Sequence, residues 1–183
     1  LYVFSTENIH RNPREVEELM NLLWEETQKA LKDGELMREG VRIKLIGRES
    51  QIPKKLLEAI KELERKTEKN DRLIGNIAID YGGKKEIVDA AKSIAEDVKA
   101  GKIDPASIDE NLFQRYLYTS HLSNPDVDMV IRTSGEMRLS GFLLWQSAYS
   151  ELVFLDVYWP EFRKIDLMRA IRIYQRRQRR FGR

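Results

Sequence analysis

Strand-like apolar segments alternate with helical segments along most of this chain, and that alternation constrains the fold more than any other feature. Residues 41–46 and 73–79 have the spacing of β-strands, and a segment with helical periodicity follows each of them. Residues 127–131 and 152–157 supply two more apolar strands. Such alternation predicts an α/β fold with a central, mainly parallel β-sheet flanked by helices on both faces.

The clearest helix is predicted directly after Asn12. Asparagine is a good N-cap, Pro13 suits the first helical position, and apolar residues recur on one face until Gly34. Four other helices are predicted from similar signals, and their starts are Pro53, the Gly82–Gly83 pair, the region of Leu112, and Asp166.

Composition limits the classes of function that are open to the chain. Its 183 residues, of which 42% are hydrophobic, fit a single domain spanning residues 1–183. With 32 basic and 30 acidic residues the net charge is only +2, which argues against a general polyanion binder. The absence of cysteine excludes disulfides and thiolate metal sites. No apolar run reaches the roughly 18 to 20 residues of a membrane span, so we expect a cytoplasmic protein.

Two arginines and several hydroxyl side chains follow the strand at residues 127–131. Arg132, Arg138 and Ser140 fall within a nine-residue segment. A guanidinium presents a planar fork of donors that matches phosphate oxygens, and a serine hydroxyl adds another donor. A surface salt-bridge patch is the alternative, but it does not require the neighbouring serine and glycine residues. The segment therefore predicts a site for a phosphorylated ligand, with a diphosphate as the first candidate.

Polar segments follow three of the predicted strands. They are residues 4–8 with Arg11, residues 80–83, and residues 132–140. Ligands of open parallel sheets gather outside the carboxyl ends of the strands, so we expect these segments to converge on one cleft. Taken alone, residues 5–8 and the two glycines at 82 and 83 are better explained as turns.

Glu151 follows an apolar stretch that otherwise has the composition of a buried segment. A carboxylate is seldom buried unless it is paired or bound to a metal. Two interpretations stay open: an ion pair with Arg138 or another arginine, or a ligand of Mg²⁺ that also shares diphosphate oxygens.

Six motifs along the chain resemble those of the cis-prenyltransferases, the family of which undecaprenyl diphosphate synthase is the type. They are FSTEN (4–8), DYGGK (80–84), IRTSGE (131–136), FLLWQ (142–146), AYSEL (148–152) and WPEF (159–162), and RRFG (179–182) closes the chain. The resemblance implies an enzyme that adds isopentenyl diphosphate units to farnesyl or geranylgeranyl diphosphate. The implied product is a long-chain cis-polyprenyl diphosphate, and the implied cofactor is Mg²⁺.

The resemblance also implies roles for individual residues. Arg132, Arg138 and Ser140 match the residues that hold isopentenyl diphosphate, and Glu151 matches a Mg²⁺ ligand. Ser5 and Asn8 match catalytic residues that position the substrate or take part in proton removal. The other substrate-binding matches lie on the same loop and are Phe4, Glu7 and Arg11.

Members of the family are homodimers, and Arg180 and Gly182 match a C-terminal motif that reaches the partner's active site. The arginine-rich last helix is also compatible with peripheral contact to anionic lipid headgroups during product release. The family's N-terminal Asp-Gly-Asn-Gly-Arg motif has no counterpart and would lie before Leu1. Either the chain is a truncated or partly ordered version of a complete enzyme, which we expect, or it is a natural short form that cannot ionise its substrate.

Two other classes of function are weighed against the enzyme. A catalytically silent subunit of a heteromeric prenyltransferase has little reason to keep the two arginines together with Ser140 and Glu151. A nucleic-acid-binding domain that uses the basic last helix predicts binding that falls steeply with salt. Both classes rank below the enzyme, and we expect no nucleic-acid partner.

Overall fold

A computed structural model of the protein describes residues 1–177. The chain divides into two compact units, Leu1–Asp89 and Ala90–Arg183, each with its own sheet. Every strand pairing in the described residues is parallel, which confirms the parallel α/β prediction. The strands form a three-stranded sheet, in the order Tyr2–Ser5, Leu73–Tyr81 and Val41–Ile46, and a two-stranded sheet of Met129–Arg132 and Glu151–Phe154. The single domain predicted from the sequence stays a prediction.

The elements follow one another in the order strand, helix, strand through much of the chain. The strands are β1 (Tyr2–Ser5), β2 (Val41–Ile46), β3 (Leu73–Tyr81), β4 (Met129–Arg132) and β5 (Glu151–Phe154). The helices are α1 (Pro13–Asp33), α2 (Glu35–Arg38), α3 (Lys54–Thr67), α4 (Gly83–Lys99), α5 (Glu110–Gln114) and α6 (Lys164–Arg176). Short 3-10 helices lie at Thr6–His10, Pro105–Ser107 and Trp159–Glu161.

Local sequence signals explain the longest helix of the first unit. The side chain of Asn12 accepts a hydrogen bond from the amide of Arg14 at 3.0 Å, so it caps the start of α1. Gly34 ends the helix with a left-handed φ of +66°, which costs glycine little. Helix α1 packs against α3, and both cover the core. That core consists of Phe4, Met20, Ile52, Leu56, Ile60 and Ile79.

The ends of β2 and β3 approach each other very closely. Gly47 directly follows β2 with φ +123°, and a Cβ atom there would lie 2.2 Å from the carbonyl oxygen of Ile79. The amide of Arg48 then donates to the carbonyl oxygen of Asp80 at 3.2 Å. Only glycine fits at position 47, and the contact fixes the carboxyl end of β3, where we expect the ligand segment.

Several boundaries in the second unit differ from those predicted. Strand β4 covers Met129–Arg132 rather than residues 127–131, and β5 covers Glu151–Phe154 rather than residues 152–157. Helix α6 begins two residues before Asp166, because the carboxylate of Asp166 accepts from the amide of Arg163 at 3.0 Å and so caps the helix from its third position. None of the helices within residues 1–177 is long and apolar enough to cross a membrane.

Candidate functional site

Ser5 and Asn8 form a reciprocal pair where β1 ends. The amide of Asn8 donates to Ser5 Oγ at 3.2 Å, and the amide of Ser5 donates to Asn8 Oδ1 at 2.9 Å. This capping box folds the chain sharply into the 3-10 helix Thr6–His10. Both side-chain oxygens therefore act as acceptors for the backbone. The hydroxyl proton and the amide NH₂ group are donors that the pair does not use, and donors suit an anionic ligand.

The other predicted residues of this loop differ in exposure. Phe4 is only 2% exposed and packs in the hydrophobic core, whereas Glu7 and Arg11 lie on the surface. The amide of Arg11 donates to the carbonyl oxygen of Asn8 at 3.0 Å, which ends the 3-10 helix. The structure thus gives Phe4 a packing role, and substrate binding by Phe4, Glu7 and Arg11 stays a prediction.

Asp80 occupies an unusual environment at the end of β3. It is 1% exposed and has φ +48°, a left-handed angle that glycine, asparagine and aspartate adopt more readily than other residues. Within residues 1–177, neither carboxylate oxygen has a hydrogen-bond partner, and the buried hydroxyl of Thr6 also lacks one. Burial raises the pKa of Asp80, while the nearby Thr6 hydroxyl and Arg48 guanidinium lower it by less. Burial is the largest of these effects, so the net shift of the pKa is upward.

The next residue, Tyr81, anchors the same strand end to α4. Its hydroxyl donates to Glu86 Oε2 at 2.5 Å, and both side chains are fully buried. The ring of Tyr2 packs edge-on against that of Tyr81, with centroids 5.9 Å apart, and the Tyr2 hydroxyl donates to the carbonyl oxygen of Tyr81 at 3.1 Å. These contacts hold the ends of β1 and β3 side by side, so the loops that follow them share one edge of the sheet.

The arginine and serine predicted to bind phosphate meet in the second unit. Arg132 ends β4, and its Nη1 atom donates to Ser140 Oγ at 2.8 Å and also to the carbonyl oxygen of Arg138. The chain from residue 133 to residue 140 therefore forms a loop that closes on the Arg132 guanidinium. Arg132 and Ser140 together present a group of hydrogen-bond donors, which is what a phosphate requires.

The guanidinium of Arg138 has a different partner. It forms an ion pair with Glu136 two residues earlier, and both side chains are well exposed to solvent. An exposed pair of this kind contributes little to stability. The structure thus brings the backbone of Arg138 to Arg132, but it directs the Arg138 side chain to a carboxylate. Phosphate binding by that side chain stays a prediction.

The backbone of this loop is unusually rich in left-handed conformations. Ser134, Gly135 and Ser140 have φ values of +70°, +69° and +47°. The loop is held in place because the amides of Ser134 and Gly135 donate to the carbonyl oxygens of Val157 and Leu155 at 2.8 and 2.9 Å. Non-glycine residues in this region cost roughly 1 to 3 kcal/mol each and concentrate at binding sites. The loop geometry therefore supports a ligand site.

Glu151 lies at the opposite end of the β4–β5 pair from Arg132. The register pairs Glu151 with Met129 and Arg132 with Phe154. Three residues of strand separate the two positions by about 10 Å along the strand direction. Arg177 Nη1 donates to Glu151 Oε2 at 3.0 Å, so the ion-pair interpretation of this carboxylate is observed, with Arg177 rather than Arg138 as the partner.

The carboxylates in the described residues form no ready-made metal site. No group of three or more histidine, aspartate or glutamate side chains that could hold an ion occurs within residues 1–177. Glu151 offers a single carboxylate, which fits Mg²⁺ only if diphosphate oxygens and water complete its coordination. Arg180 and Gly182, predicted to reach a partner's active site, lie outside the described residues. The convergence of the predicted segments on one cleft also stays a prediction.

Sequence reasoning assigned no role to several residues that the structure brings into contact with the predicted ones. They are Thr6, Asp80, Glu86, Glu136 and Arg177. A signal was present for Thr6, Asp80 and Glu136, because they lie in the predicted segments 4–8, 80–83 and 132–140. Glu86 and Arg177 lie outside these segments, and their partners are set by packing.

Comparison with protein families places the chain among known sequences. A family model described as putative undecaprenyl diphosphate synthase matches residues 1–182. A tritrans,polycis-undecaprenyl-diphosphate synthase (geranylgeranyl-diphosphate specific) of Methanocaldococcus jannaschii is 52% identical over 182 residues. The match covers 100% of this chain but 65% of that relative, so the chain spans about two thirds of the relative's length. An isoprenyl transferase of Thermus thermophilus is 50% identical over 187 residues, and that match covers 100% of this chain and 70% of the relative.

Solved structures resemble the chain over its whole length. Lavandulyl diphosphate synthase from Lavandula x intermedia, in complex with dimethylallyl diphosphate, has a TM-score of 0.96 and 34% identity, with 100% of this chain and 77% of that chain covered. A probable undecaprenyl diphosphate synthase from Campylobacter jejuni has a TM-score of 0.86 and the same identity, with 100% and 82% covered.

Proposed function

This chain belongs to the undecaprenyl diphosphate synthase family, the cis-prenyltransferases, and on that premise we propose that it condenses isopentenyl diphosphate with an allylic diphosphate. The reaction releases pyrophosphate from the allylic substrate, forms a carbon–carbon bond to isopentenyl diphosphate and removes a proton to create a new cis double bond. Repetition gives a long-chain polyprenyl diphosphate. The protein is thus proposed to be an enzyme that makes a lipid carrier.

The observation that carries this proposal is the contact between Arg132 and Ser140. Arg132 Nη1 donates to Ser140 Oγ at 2.8 Å in a loop with several left-handed residues at the carboxyl end of β4. We propose that this loop binds the diphosphate group of isopentenyl diphosphate. Arg138 joins the site if its guanidinium exchanges Glu136 for a phosphate oxygen, which is the more highly charged acceptor.

The loop that follows β1 is proposed to act on the reacting groups. Ser5 and Asn8 keep a donor each after their capping box is formed, and Glu7 and Arg11 add exposed charges beside them. Donors aimed at the departing pyrophosphate stabilise the charge that develops there. We assign Ser5 and Asn8 to positioning in this sense.

Geranylgeranyl diphosphate is the proposed starter. Support comes from relatives at 51 to 53% identity that are named as specific for it, among them that of Methanocaldococcus jannaschii. The test uses the full-length protein with Mg²⁺, labelled isopentenyl diphosphate and, in parallel, dimethylallyl, farnesyl or geranylgeranyl diphosphate. Chromatography of the products should show lengthened polyprenyl diphosphates, most rapidly from geranylgeranyl diphosphate. Equal or faster turnover of a shorter starter would overturn the starter assignment.

Arg132→Lys tests the diphosphate loop. Lysine keeps the charge but loses the planar fork, and a hydrogen bond to a charged group contributes about 1.5 to 3 kcal/mol, so KM for isopentenyl diphosphate should rise roughly 10- to 100-fold. Arg169→Lys is the matched control, because the exposed side chain of Arg169 pairs with the buried Asp166 on α6 and belongs to none of the predicted ligand segments. Equal effects of the two substitutions would remove Arg132 from the site.

Mg²⁺ is proposed as the cofactor, with Glu151 as its ligand from this chain. The alternative is that Glu151 only pairs with Arg177. Glu151→Gln should raise the Mg²⁺ concentration needed for half-maximal turnover, whereas Arg177→Ala should leave that concentration unchanged. The same shift in both variants would identify the ion pair, and not the metal, as the purpose of the carboxylate.

A homodimer is the proposed assembly. Tyr149 and Trp159 in the second unit are 77% and 60% exposed, and Trp159 stacks on Phe162 with centroids 5.6 Å apart. Exposed aromatic side chains are enriched at protein interfaces and also at membrane surfaces. Light scattering of the full-length protein at micromolar concentration should give twice the monomer mass. A catalytically silent subunit would instead give no product until a second protein is added.

A further inference from the structure

The buried pair formed by Asp80 and Thr6 has no explanation in packing alone. Asp80 is 1% exposed, and in the part of the chain that the structure describes its two carboxylate oxygens and the Thr6 hydroxyl have no hydrogen-bond partner. Buried polar groups are almost always paired, so such exceptions concentrate where a protein does something besides fold. Asp80 also adopts φ +48°, which adds backbone strain at the same point.

The position of Thr6 connects this pair to the substrate loop. Thr6 lies between Ser5 and Glu7 and is the first residue of the 3-10 helix that Ser5 and Asn8 cap. A Cβ atom at Gly82 would lie 3.3 Å from Thr6 Oγ1, so the hydroxyl rests against the end of β3. The Thr6 side chain is therefore the point at which the loop after β1 touches the strand that carries Asp80.

Arg48 does not neutralise Asp80 directly. Its Nε atom lies 3.9 Å from Asp89 Oδ2 on α4, and Asp89 also pairs with Lys85 at 3.1 Å. The guanidinium lowers the pKa of Asp80 less than burial raises it. Carboxyl oxygens accept hydrogen bonds from hydroxyl groups, and the Thr6 hydroxyl lowers the pKa of Asp80, as a hydroxyl that approaches a carboxylate does. Thr6 is therefore the neighbouring hydroxyl that suits this carboxyl.

We propose that Asp80 is a positioning residue whose carboxyl binds the Thr6 hydroxyl and thereby holds Ser5 and Asn8 in the orientation that meets the substrate. This role rests on the proposed function, because it requires that the Ser5–Asn8 loop acts in turnover. Asp80 itself touches no substrate. Its effect passes through one hydrogen bond to the backbone turn of the loop.

The test compares variants that remove the bond with variants that keep it. Thr6→Val removes the hydroxyl at nearly constant volume, and Asp80→Gly removes the carboxyl without adding strain, because glycine adopts φ +48° readily. Thr6→Ser and Asp80→Asn keep hydrogen-bonding groups in both positions. Asp71→Asn is the matched control, since Asp71 is an exposed aspartate near the other end of β3.

The full-length protein is assayed for kcat and KM with isopentenyl diphosphate and geranylgeranyl diphosphate. Thr6→Val and Asp80→Gly should each lower kcat about tenfold with little change in either KM, and the double variant should be no worse than the single ones, because both remove the same bond. Thr6→Ser and Asp80→Asn should stay within about threefold of the natural protein, and Asp71→Asn should equal it. Circular dichroism at the assay temperature confirms that each variant is folded.

Each other result overturns the proposal. A hundredfold loss in the double variant would mean that the two side chains act independently, and activity in Asp80→Asn as low as in Asp80→Gly would mean that hydrogen bonding is not the relevant property. If the natural protein is active and Thr6→Val keeps full activity, the positioning role of Asp80 is refuted, but the proposed function is not. Absence of product from the natural protein with every starter would refute the proposed function, and this role with it.

Discussion

Gly47 offers the sharpest test of how the end of β3 is held in place. We expect Gly47→Ala to destabilise the protein far more than an alanine at another left-handed glycine of the same unit. The φ of +123° at Gly47 is disfavoured for any side chain, at a cost of about 1 to 3 kcal/mol. The new Cβ would also lie 2.2 Å from the carbonyl oxygen of Ile79, which must move, and overpacking of this kind costs about 1 to 3 kcal/mol more.

Gly34→Ala is the matched control. Gly34 has φ +66° at the end of α1, and the nearest atom to its Cβ would be a flexible arginine nitrogen at 3.7 Å, so only the backbone cost of about 1 to 2 kcal/mol applies. At about 2 to 4 °C per kcal/mol for a chain of this size, Gly47→Ala should melt several degrees below Gly34→Ala. Thermal unfolding followed by circular dichroism measures the difference. Equal melting temperatures would show that the close approach of β2 and β3 is not obligatory.

Two other contacts give tests of stability. Thr67 Oγ1 accepts a hydrogen bond from the amide of Ile43 at 3.0 Å, so Thr67→Val should leave a buried N–H unpaired. Urea unfolding should then show a free energy of unfolding that is lower by about 1 to 3 kcal/mol. Thr27→Val leaves no backbone amide unpaired and should lower it by less. Burial raises the pKa of Asp80 above 3.8, so the folded chain holds this proton more tightly than the unfolded chain does. The resulting stabilisation is complete below the unfolded pKa and is lost as pH rises through the folded pKa, and Asp80→Asn should abolish this part of the pH dependence. An unchanged pH profile in Asp80→Asn would contradict the raised pKa.

Local patterns were sufficient to predict the longer elements of the first unit, but not the short helices Thr6–His10 and α2. Helix α1 starts and ends where Asn12, Pro13 and Gly34 indicate, and strand β2 covers the predicted residues 41–46. These signals work because capping and left-handed termination depend on residues close together in the chain. The parallel pairing was predictable for the same reason, since strand and helix alternate along the sequence.

Side-chain partners were harder to predict than elements. The sequence offered Arg138 or another arginine for Glu151, and the structure selects Arg177, 26 residues away. It grouped Arg132, Arg138 and Ser140, yet the Arg138 guanidinium pairs with Glu136. Such choices depend on the register of β4 with β5 and on the path of the loop between them, which no short pattern encodes. The burial of Asp80 could not be predicted from the sequence for the same reason.

The capping box at the end of β1 limits what Ser5 and Asn8 can do in catalysis. A general base needs an acceptor within reach of the proton that it removes. The oxygens of both side chains already accept backbone amides, and an asparagine amide does not take up protons at neutral pH. Each side chain also keeps a donor that the capping box does not use, and donors suit the leaving pyrophosphate of the proposed reaction. If the proposed reaction takes place, the geometry favours positioning and charge stabilisation at this loop, and the proton acceptor should be sought among the substrate phosphates or other residues of the protein.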